Sequence, residues 1–378
     1  MIASFQKTER KINIFINNNP EWGGTYQYTQ LIIESVKRKF HEKNVNFYYT
    51  NKIWDDDVEN YHYINLGLTE IVISQILIIL NLIKIPKFLE KFLLPSFPPK
   101  FFDKNENWIF PSQDIISIIC RGKTIVSIND LMHKYSKFKE TSSFFRKLYR
   151  NYKFNKIAKN SYRILVDSKL GKKHVEETYG KFGNVRVQYF SALKNETTLH
   201  KNKYGKYLIY PAQYWAHKNH KKLLLAMQIL KKKFNNIKLI LIGHKKKNFK
   251  QINTLASKLG LENNVLFLGF VSDKEKASLI ANARALVNPS FLGPTNIPQL
   301  EAFNYHCPVI LSNVFASKEQ CSNKVLYFDP YFEESIATSI EKIWVSDEIY
   351  NLYKNKSIQI SQKYSFQKFS DELIKNIF

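Results

Sequence analysis

The residue types that could do chemistry gather in one stretch, Arg284–Asn313, with the sequence RALVNPSFLGPTNIPQLEAFNYHCPVILSN. Its apolar runs Arg284–Asn288 and Pro308–Ser312 read as buried strands, and Ile297–Phe303 between them has the apolar spacing of a helix. Pro298 is tolerated in that helix's first turn. Pro294, Thr295 and Asn296 form a turn, because proline fixes φ and asparagine accepts unusual dihedrals. A loop that runs from a strand's end into a helix N-terminus presents backbone N–H groups and the positive end of the helix dipole. That suits a phosphate or diphosphate, and Thr295, Asn296 and Ile297 are placed to bind it. Glu301 follows about one turn into the helix. There its carboxylate can accept hydrogen bonds from vicinal hydroxyls such as those of a ribose. A plain strand–helix unit with Glu301 as a solvated residue has the same spacing.

Other candidates lie at strand ends. In Ala212–His220 (AQYWAHKNH), Lys218 stands at a helix start, where the dipole disfavours a cation. The mismatch favours an anionic partner over an idle surface lysine. His217 and His220 bracket it, but further metal ligands are missing nearby, and no metal is expected. Gly23 and Gly24 follow the first strand, where a glycine pair lets backbone approach a ligand closely. They do not complete a G-x-G-x-x-G fingerprint, and an ordinary tight turn fits them equally. Gly243 ends a strand where a ligand's diphosphate or base would pass close. Asp130, after the strand Thr124–Ile128, is either a turn-capping or a catalytic carboxylate.

The elements that must position these residues alternate strand and helix at about 25–30 residues per unit, which predicts a doubly wound α/β fold. At 378 residues the chain is long for a single core, so two domains are expected. The first covers residues 1–190, opening with the apolar strand Lys11–Asn17 and a helix from Thr25 to Phe40. Strands Val45–Tyr49, Tyr61–Leu66, Asn107–Pro111, Thr124–Ile128, Tyr162–Ser168 and Val185–Phe190 follow. A polar linker spans 191–204. The second domain, 205–363, has strands Lys206–Pro211, Ile237–Gly243, Val265–Gly269 and Val325–Phe328 beside those above. Its helices are a long one ending near Phe234, then Phe249–Leu259, Asp273–Asn282 and Glu333–Trp344. Tyr364–Phe378 is again helical. Ile71–Ile83 is about thirteen mostly apolar residues, short of the roughly twenty a membrane-spanning helix needs. It reads as a buried packing helix or, with Lys84, Lys87 and Lys91 beside it, as an interfacial one. In Thr141–Ser161, Phe144, Phe145, Leu148, Tyr152 and Ile157 could supply the buried face of an amphipathic helix with the basic residues snorkelling, or the helix is a basic surface beside an acceptor site that draws in anionic lipid headgroups.

Lys and Arg outnumber Asp and Glu by 57 to 32, a formal net charge of +25. The excess calls for partners of opposite sign, here an anionic membrane surface and diphosphate-bearing substrates. Nucleic acid is disfavoured, because no homeodomain, zinc-finger or RNP pattern is present and lysine is spread along the chain. Cys120, Cys307 and Cys321 show neither paired nor metal-like spacing, which suggests reduced thiols. The polar start at Met1–Ile12 resembles no signal peptide, so a cytoplasmic location is expected.

The central stretch resembles the donor-site motif of the glycosyltransferases of family four, P-S-x-x-E-G-F-G-L-P-x-x-E-A. Pro289, Ser290, Pro298, Glu301 and Ala302 fall on it. Gly293 stands where its first glutamate would be, and Pro294–Ile297 replace G-F-G-L. The P-T-N-I-P-x-L-E-A form is similar to that of bacterial enzymes of surface-polysaccharide assembly. Ser127–His133 (SINDLMH) resembles the family's V-H-D-L segment, with Asn129 in place of a histidine that touches the donor sugar; His133 could supply the imidazole instead. Ser168, Lys172, Val175, Tyr179 and Gly180 match another segment. Lys218, Asn219, Leu223, Leu224 and Ala226 match the family's G-R-L-x-x-x-K-N/G-x-x-x-L-L-x-A, but its arginine is absent and Ala212 or Gln213 falls near that place. Asn264–Phe270 matches the segment whose following loop meets the nucleotide base, which makes Phe270 and Val271 base contacts.

The resemblance implies a GT-B fold, two Rossmann-like domains facing across a cleft, with the last helix, about 364–378, crossing back to the first. It implies a retaining, metal-independent hexosyltransferase. A UDP-, GDP- or dTDP-linked sugar would be the donor substrate, with no cofactor, and a glycan or lipid-diphosphate-linked oligosaccharide the acceptor. Gly23, Gly24 and Gly243 would face the donor, Lys218 would neutralise the leaving diphosphate, and Asp130 and Asn129 would work at the reacting centre with Glu301. Peripheral attachment to the inner face of the cytoplasmic membrane is expected. The alternatives are a catalytically impaired scaffold in a glycan-assembly complex, or a nucleotide-sugar epimerase of the same fold.

Overall fold

The computed structural model describes residues 10–19, 23–56, 59–79, 89, 92–136, 138, 144–193, 200–246, 248–293 and 296–378. The chain divides into two compact units: Met1–Lys134 with Ser143–Tyr189 and Phe366–Phe378, and Tyr135–Ser142 with Phe190–Ser365.

In the first unit the strands are β1 (Ile12–Ile16), β2 (Val45–Tyr49), β3 (Tyr61–Tyr63), β4 (Asn107–Phe110), β5 (Lys123–Ser127), β6 (Arg163–Val166) and β7 (Val185–Val187). They form one parallel sheet in the order β3-β2-β1-β4-β5-β6-β7. Its helices are α1 (Gly24–Lys39), α2 (Leu68–Ile79), α3 (Met132–Tyr135, which ends at the unit boundary), α4 (Phe144–Asn160) and α5 (Lys169–Tyr179). Every residue of β1 is buried, as a parallel strand covered on both faces must be. The core is rich in aromatic rings: Trp108 meets Phe101 edge-on at 5.0 Å, and Phe15 lies 5.5 Å from Phe110. Asn13 escapes the cost of a buried polar group by donating to Glu106 at 2.8 Å and to the Asn107 carbonyl at 3.2 Å.

In the second unit the strands are β8 (Leu208–Pro211), β9 (Leu239–Ile242), β10 (Val265–Gly269), β11 (Ala285–Asn288), β12 (Val309–Ser312) and β13 (Leu326–Phe328). They are parallel in the order β10-β9-β8-β11-β12-β13. The helices are α6 (His220–Lys231), α7 (Phe249–Lys258), α8 (Asp273–Ala281), α9 (Ile297–Asn304), α10 (Ser317–Cys321), α11 (Glu333–Val345) and α12 (Asp347–Lys363). The chain ends with α13 (Phe366–Ile377), which packs on α1 in the first unit. There Ser35 and Ser370 hydroxyls pair at 2.8 Å, and Lys39 meets Asp371 at 2.5 Å.

The doubly wound α/β expectation holds, and three local ones change. The basic helix α4 buries Phe154, Ile157 and Ala158, while Phe144, Phe145 and Leu148 are exposed. Only its C-terminal half joins the core cluster, where Ile157 is buried and Tyr152 packs half-buried as a buried face requires, while that face does not extend to Phe144, Phe145 and Leu148. Helix α2 is not wholly buried either. Ser74, Leu77 and Glu70 face inward, with Glu70 accepting from the Ser96 N–H at 2.6 Å, while Leu68, Val72 and Ile76 point to solvent. Residues 80–83 of that apolar run, with the flanking Lys84 and Lys87, lie outside the described residues. Helix α12 was not expected at all.

Candidate active site

In a doubly wound sheet, ligands bind beyond the C-terminal strand ends where the strand order reverses. In the second unit that point lies between β8 and β11, so the loops Ala212–Asn219 and Pro289–Asn296 flank it. They are bonded to one another. The His217 carbonyl accepts from the Phe291 N–H at 2.9 Å and the Ser290 hydroxyl at 3.2 Å. The Asn219 carboxamide donates to the carbonyls of Pro289 at 3.0 Å and Pro330 at 2.9 Å. Asn219 has φ of 57°, a left-handed conformation that asparagine tolerates better than most residues. The Tyr210 hydroxyl donates to the Lys218 carbonyl at 2.9 Å, which fixes the backbone of Lys218 beside the start of α6. Gln213 accepts from the Trp215 indole at 2.8 Å.

The N-terminus of α9 is held from behind by buried amides. Asn288 donates to Gln299 at 3.2 Å, and Gln299 donates to Gln320 at 2.7 Å. Gln320 in turn brackets the main chain of Asn296, accepting its N–H at 3.5 Å and donating to its carbonyl at 3.4 Å. The Asn296 amide is therefore engaged, and Pro298 has no N–H to offer. The first-turn donors with no partner within the helix are those of Ile297 and Gln299. Asn296 caps α9 without a side-chain capping bond. Its carboxamide lies against Gly293, whose φ is 113°; a Cβ there would be 2.7 Å from Asn296 Oδ1. A side chain at 293 and the present position of Asn296 exclude each other. Thr295 lies outside the described residues.

Glu301 is 8% exposed, so the solvated alternative is overturned. Its Oε1 meets Lys276 Nζ of α8 at 2.8 Å, and the same ammonium reaches Asp273 Oδ1 at 3.0 Å. Burial pulls the Lys276 pKa down, but the Glu301 and Asp273 carboxylates outweigh it and raise the ammonium above the usual lysine range. Lys276 was missed in the sequence, because nothing in its spacing from Glu301 marks a pair.

Gly243 has φ of 141°, and a Cβ on it would sit 2.5 Å from the Ala212 carbonyl oxygen. Its own neighbouring loop demands the glycine, rather than a passing ligand alone. Phe270 is exposed and stacks on His244 at 4.5 Å beyond the ends of β9 and β10, with Val271 half-buried next to it. His220 is buried and stacked on Tyr214 at 4.6 Å.

In the first unit, Gly23 takes φ 58° and ψ −114° ahead of α1, a conformation open to glycine, and Gly24 begins the helix. Asn129 and Asp130 are half-buried past β5. Asp130 Oδ1 accepts the Met132 N–H at 2.9 Å, the turn-capping role. His133 is a correction. It is buried, 3.1 Å from Asn151 and 3.2 Å from the Tyr179 hydroxyl, edge-on to Phe154. Burial lowers its pKa to about 4, so it is a neutral core imidazole facing α4 and α5, not a group offered to a donor. Among the described residues no cluster of His, Cys, Asp and Glu could hold a metal ion, and no helix is long and apolar enough to cross a membrane.

Two parallel doubly wound units define a GT-B protein. Residues 194–359 match the family described as Glycosyl transferases group 1, and the likeness read from Pro289, Ser290, Pro298, Glu301 and Ala302 is borne out. The chain is 28% identical over 226 residues to the O-antigen chain mannosyltransferase RfbU of Salmonella typhimurium, covering 60% of this chain and 62% of that protein. It is 27% identical over 169 residues to O-antigen chain mannosyltransferase B of Escherichia coli, covering 44% of each. The matches thus span less than two thirds of either relative. Among solved structures, Anabaena HepE in complex with UDP and glucose superposes with a TM-score of 0.70 at 14% identity, over 97% of this chain and 99% of that one. Sucrose-phosphate synthase of Thermosynechococcus elongatus does so at 0.72 and 16%, over 97% and 98%. These two likenesses establish the fold.

Proposed function

We propose that this protein is a glycosyltransferase that moves a hexose or deoxyhexose from a nucleoside-diphosphate sugar to a glycan or lipid-diphosphate-linked acceptor in surface-polysaccharide assembly. The observation that carries this is the bonded union of the loops Ala212–Asn219 and Pro289–Asn296 at the switch point of the second unit. One loop brings Lys218, and the other leads into the N-terminus of α9 and on to Glu301. In the reaction the acceptor hydroxyl oxygen bonds to the anomeric carbon, the bond from that carbon to the diphosphate oxygen breaks, and the nucleoside diphosphate leaves with the electron pair and takes up the hydroxyl proton. The ammonium of Lys218 and the amides of Ile297 and Gln299 stabilise the developing charge, the part a divalent metal plays elsewhere. Retention of configuration belongs to the same proposal and rests on the family resemblance. The mannosyltransferase names of two relatives support a hexose and an O-antigen-like acceptor, and the UDP of the HepE complex supports a nucleoside-diphosphate donor.

Peripheral attachment to the inner face of the cytoplasmic membrane is also part of the proposal. The outward Leu68, Val72 and Ile76 of α2, and Phe144 and Phe145 beside Arg146 and Lys147 on α4, support it. A second reading, a scaffold without turnover, is motivated by Gly293 and Asn129 in place of the family's residues. Calorimetry against UDP, GDP, dTDP and their sugars, followed by product detection with a lipid-linked acceptor, separates the two. Binding and turnover are expected, with Glu301→Gln weakening the donor about tenfold or more. A folded protein that binds none of the nucleotides is not this enzyme.

A further inference from the structure

The ion pair between α8 and α9 has a role that neither helix alone suggests. Glu301 sits about 6 Å along the axis from Ile297, four residues at the helical rise. A diphosphate at the start of α9 would bring the attached ribose to that height. A carboxylate this buried needs a partner to stay ionised, and a second constraint to hold one rotamer. Lys276 supplies both, reaching from another helix to Oε1 at 2.8 Å. Its other partner, Asp273, is 74% exposed at the side chain and screened by water. Two carboxylates and one ammonium leave the group with a net negative charge, suited to accepting hydrogen bonds from neutral hydroxyls rather than to binding another anion.

We infer that Lys276 is a positioning residue, whose ammonium sets the Glu301 carboxylate in the orientation that accepts from the ribose hydroxyls of the donor nucleotide. This rests on the proposed function, and the test keeps the two apart. The affinities of UDP and GDP are compared with those of their dideoxy analogues, which lack both ribose hydroxyls, on the full chain. The wild-type protein should prefer the ribonucleotide by about tenfold or more, since it loses two hydrogen bonds with the analogue. Lys276→Met should bind the ribonucleotide about tenfold more weakly and the analogue almost unchanged, so the preference collapses. Lys276→Arg should restore it. Equal weakening of both ligands by Lys276→Met would mean a merely structural pair and overturn the inference. So would an unchanged preference. A wild-type protein that binds both ligands alike removes Glu301 from the ribose, while one that binds neither removes the nucleotide site itself. If Lys276→Met melts early, Lys276→Gln, which keeps a hydrogen-bond donor, is read by the same ratio.

Discussion

The carboxamide of Asn219 lies 3.0 Å from the carbonyl oxygen of Pro289, a bond that joins the loop after β8 to the loop after β11. A second bond from the same nitrogen reaches the Pro330 carbonyl at 2.9 Å. All three groups meet in a buried place, so removing the amide strands two acceptors. Asn219→Gly keeps the left-handed backbone and deletes only the side chain. It is expected to lose about 2–4 kcal/mol, the cost of two unsatisfied buried carbonyls. Denaturant unfolding measures this. Nucleotide affinity should fall as well, because the main chain of Lys218, next to Asn219, loses its fixed place at the start of α6. A variant as stable as wild type would show that the loops hold together without Asn219.

On α4, Phe144 and Phe145 are 69% and 81% exposed and stand 5.5 Å apart, edge to face. Exposed rings beside Arg146, Lys147 and Arg150 suit the boundary of an anionic bilayer, where the rings bury apolar area and the cations meet headgroups. Replacing both with serine should lower sedimentation with phosphatidylserine-containing vesicles about tenfold or more. Donor affinity in solution should stay unchanged. Vesicle binding that survives the double substitution would move the contact away from α4.

The strands were legible because parallel sheets covered on both faces demand apolar runs, and Ile12–Ile16 or Val309–Ser312 can hardly be anything else. Helix α12 was not, since only Ser357 and Ile360 are fully buried and the residues that pack on the core beside them, Ile349, Tyr350 and Tyr353, stay half-exposed among polar ones. Its start was signalled by Ser346, whose side chain accepts from the Ile349 N–H, with Asp347 and Glu348 in the first turn. On α4 the sequence left a buried face and a basic outer surface both open, and the exposed Phe144 and Phe145 depart from the buried one, although aromatic residues at helical spacing usually mark a core. At the site, the loop at 289–296 and Glu301 could be placed by pattern. Lys276 could not, because the pairing depends on how α8 packs against α9. The buried amides Asn288, Gln299 and Gln320 were equally hidden: polar residues look alike in sequence whether they face water or each other.

Gly243 tests how tightly the loop after β8 is set. With φ at 141° and a Cβ that would lie 2.5 Å from the Ala212 oxygen, alanine is unfavourable in both backbone and space. Both obstructing groups are main chain, so no side chain can swing aside. Gly243→Ala is expected to cost about 2–4 kcal/mol and to displace Ala212 and Gln213. Thermal melting and nucleotide titration should both register it. An unperturbed melting temperature would mean that the strand end shifts without cost.

His220 sets a pH dependence. Burial is the main reason its pKa falls to about 3, helped by the charges of Lys218 and His217 and opposed by a hydrogen bond to the Ala212 backbone. The unfolded chain takes up a proton near the ordinary histidine value of about 6.5, whereas the folded protein does not. Stability from this residue is therefore complete above that pH. It declines as the pH drops toward about 3, by about 1.4 kcal/mol per pH unit once the unfolded histidine is charged. At about pH 5 the loss approaches 2 kcal/mol. Phenylalanine can keep the stacking on Tyr214 at 4.6 Å and Tyr210 at 5.0 Å while removing the titration. His220→Phe should thus melt slightly earlier than wild type at neutral pH, for want of the Ala212 bond, and lose less on acidification. Melting curves recorded from about pH 7.5 to 5 decide it. Parallel pH profiles for the two proteins would show that His220 is protonated in the fold after all, or that the acid loss arises elsewhere.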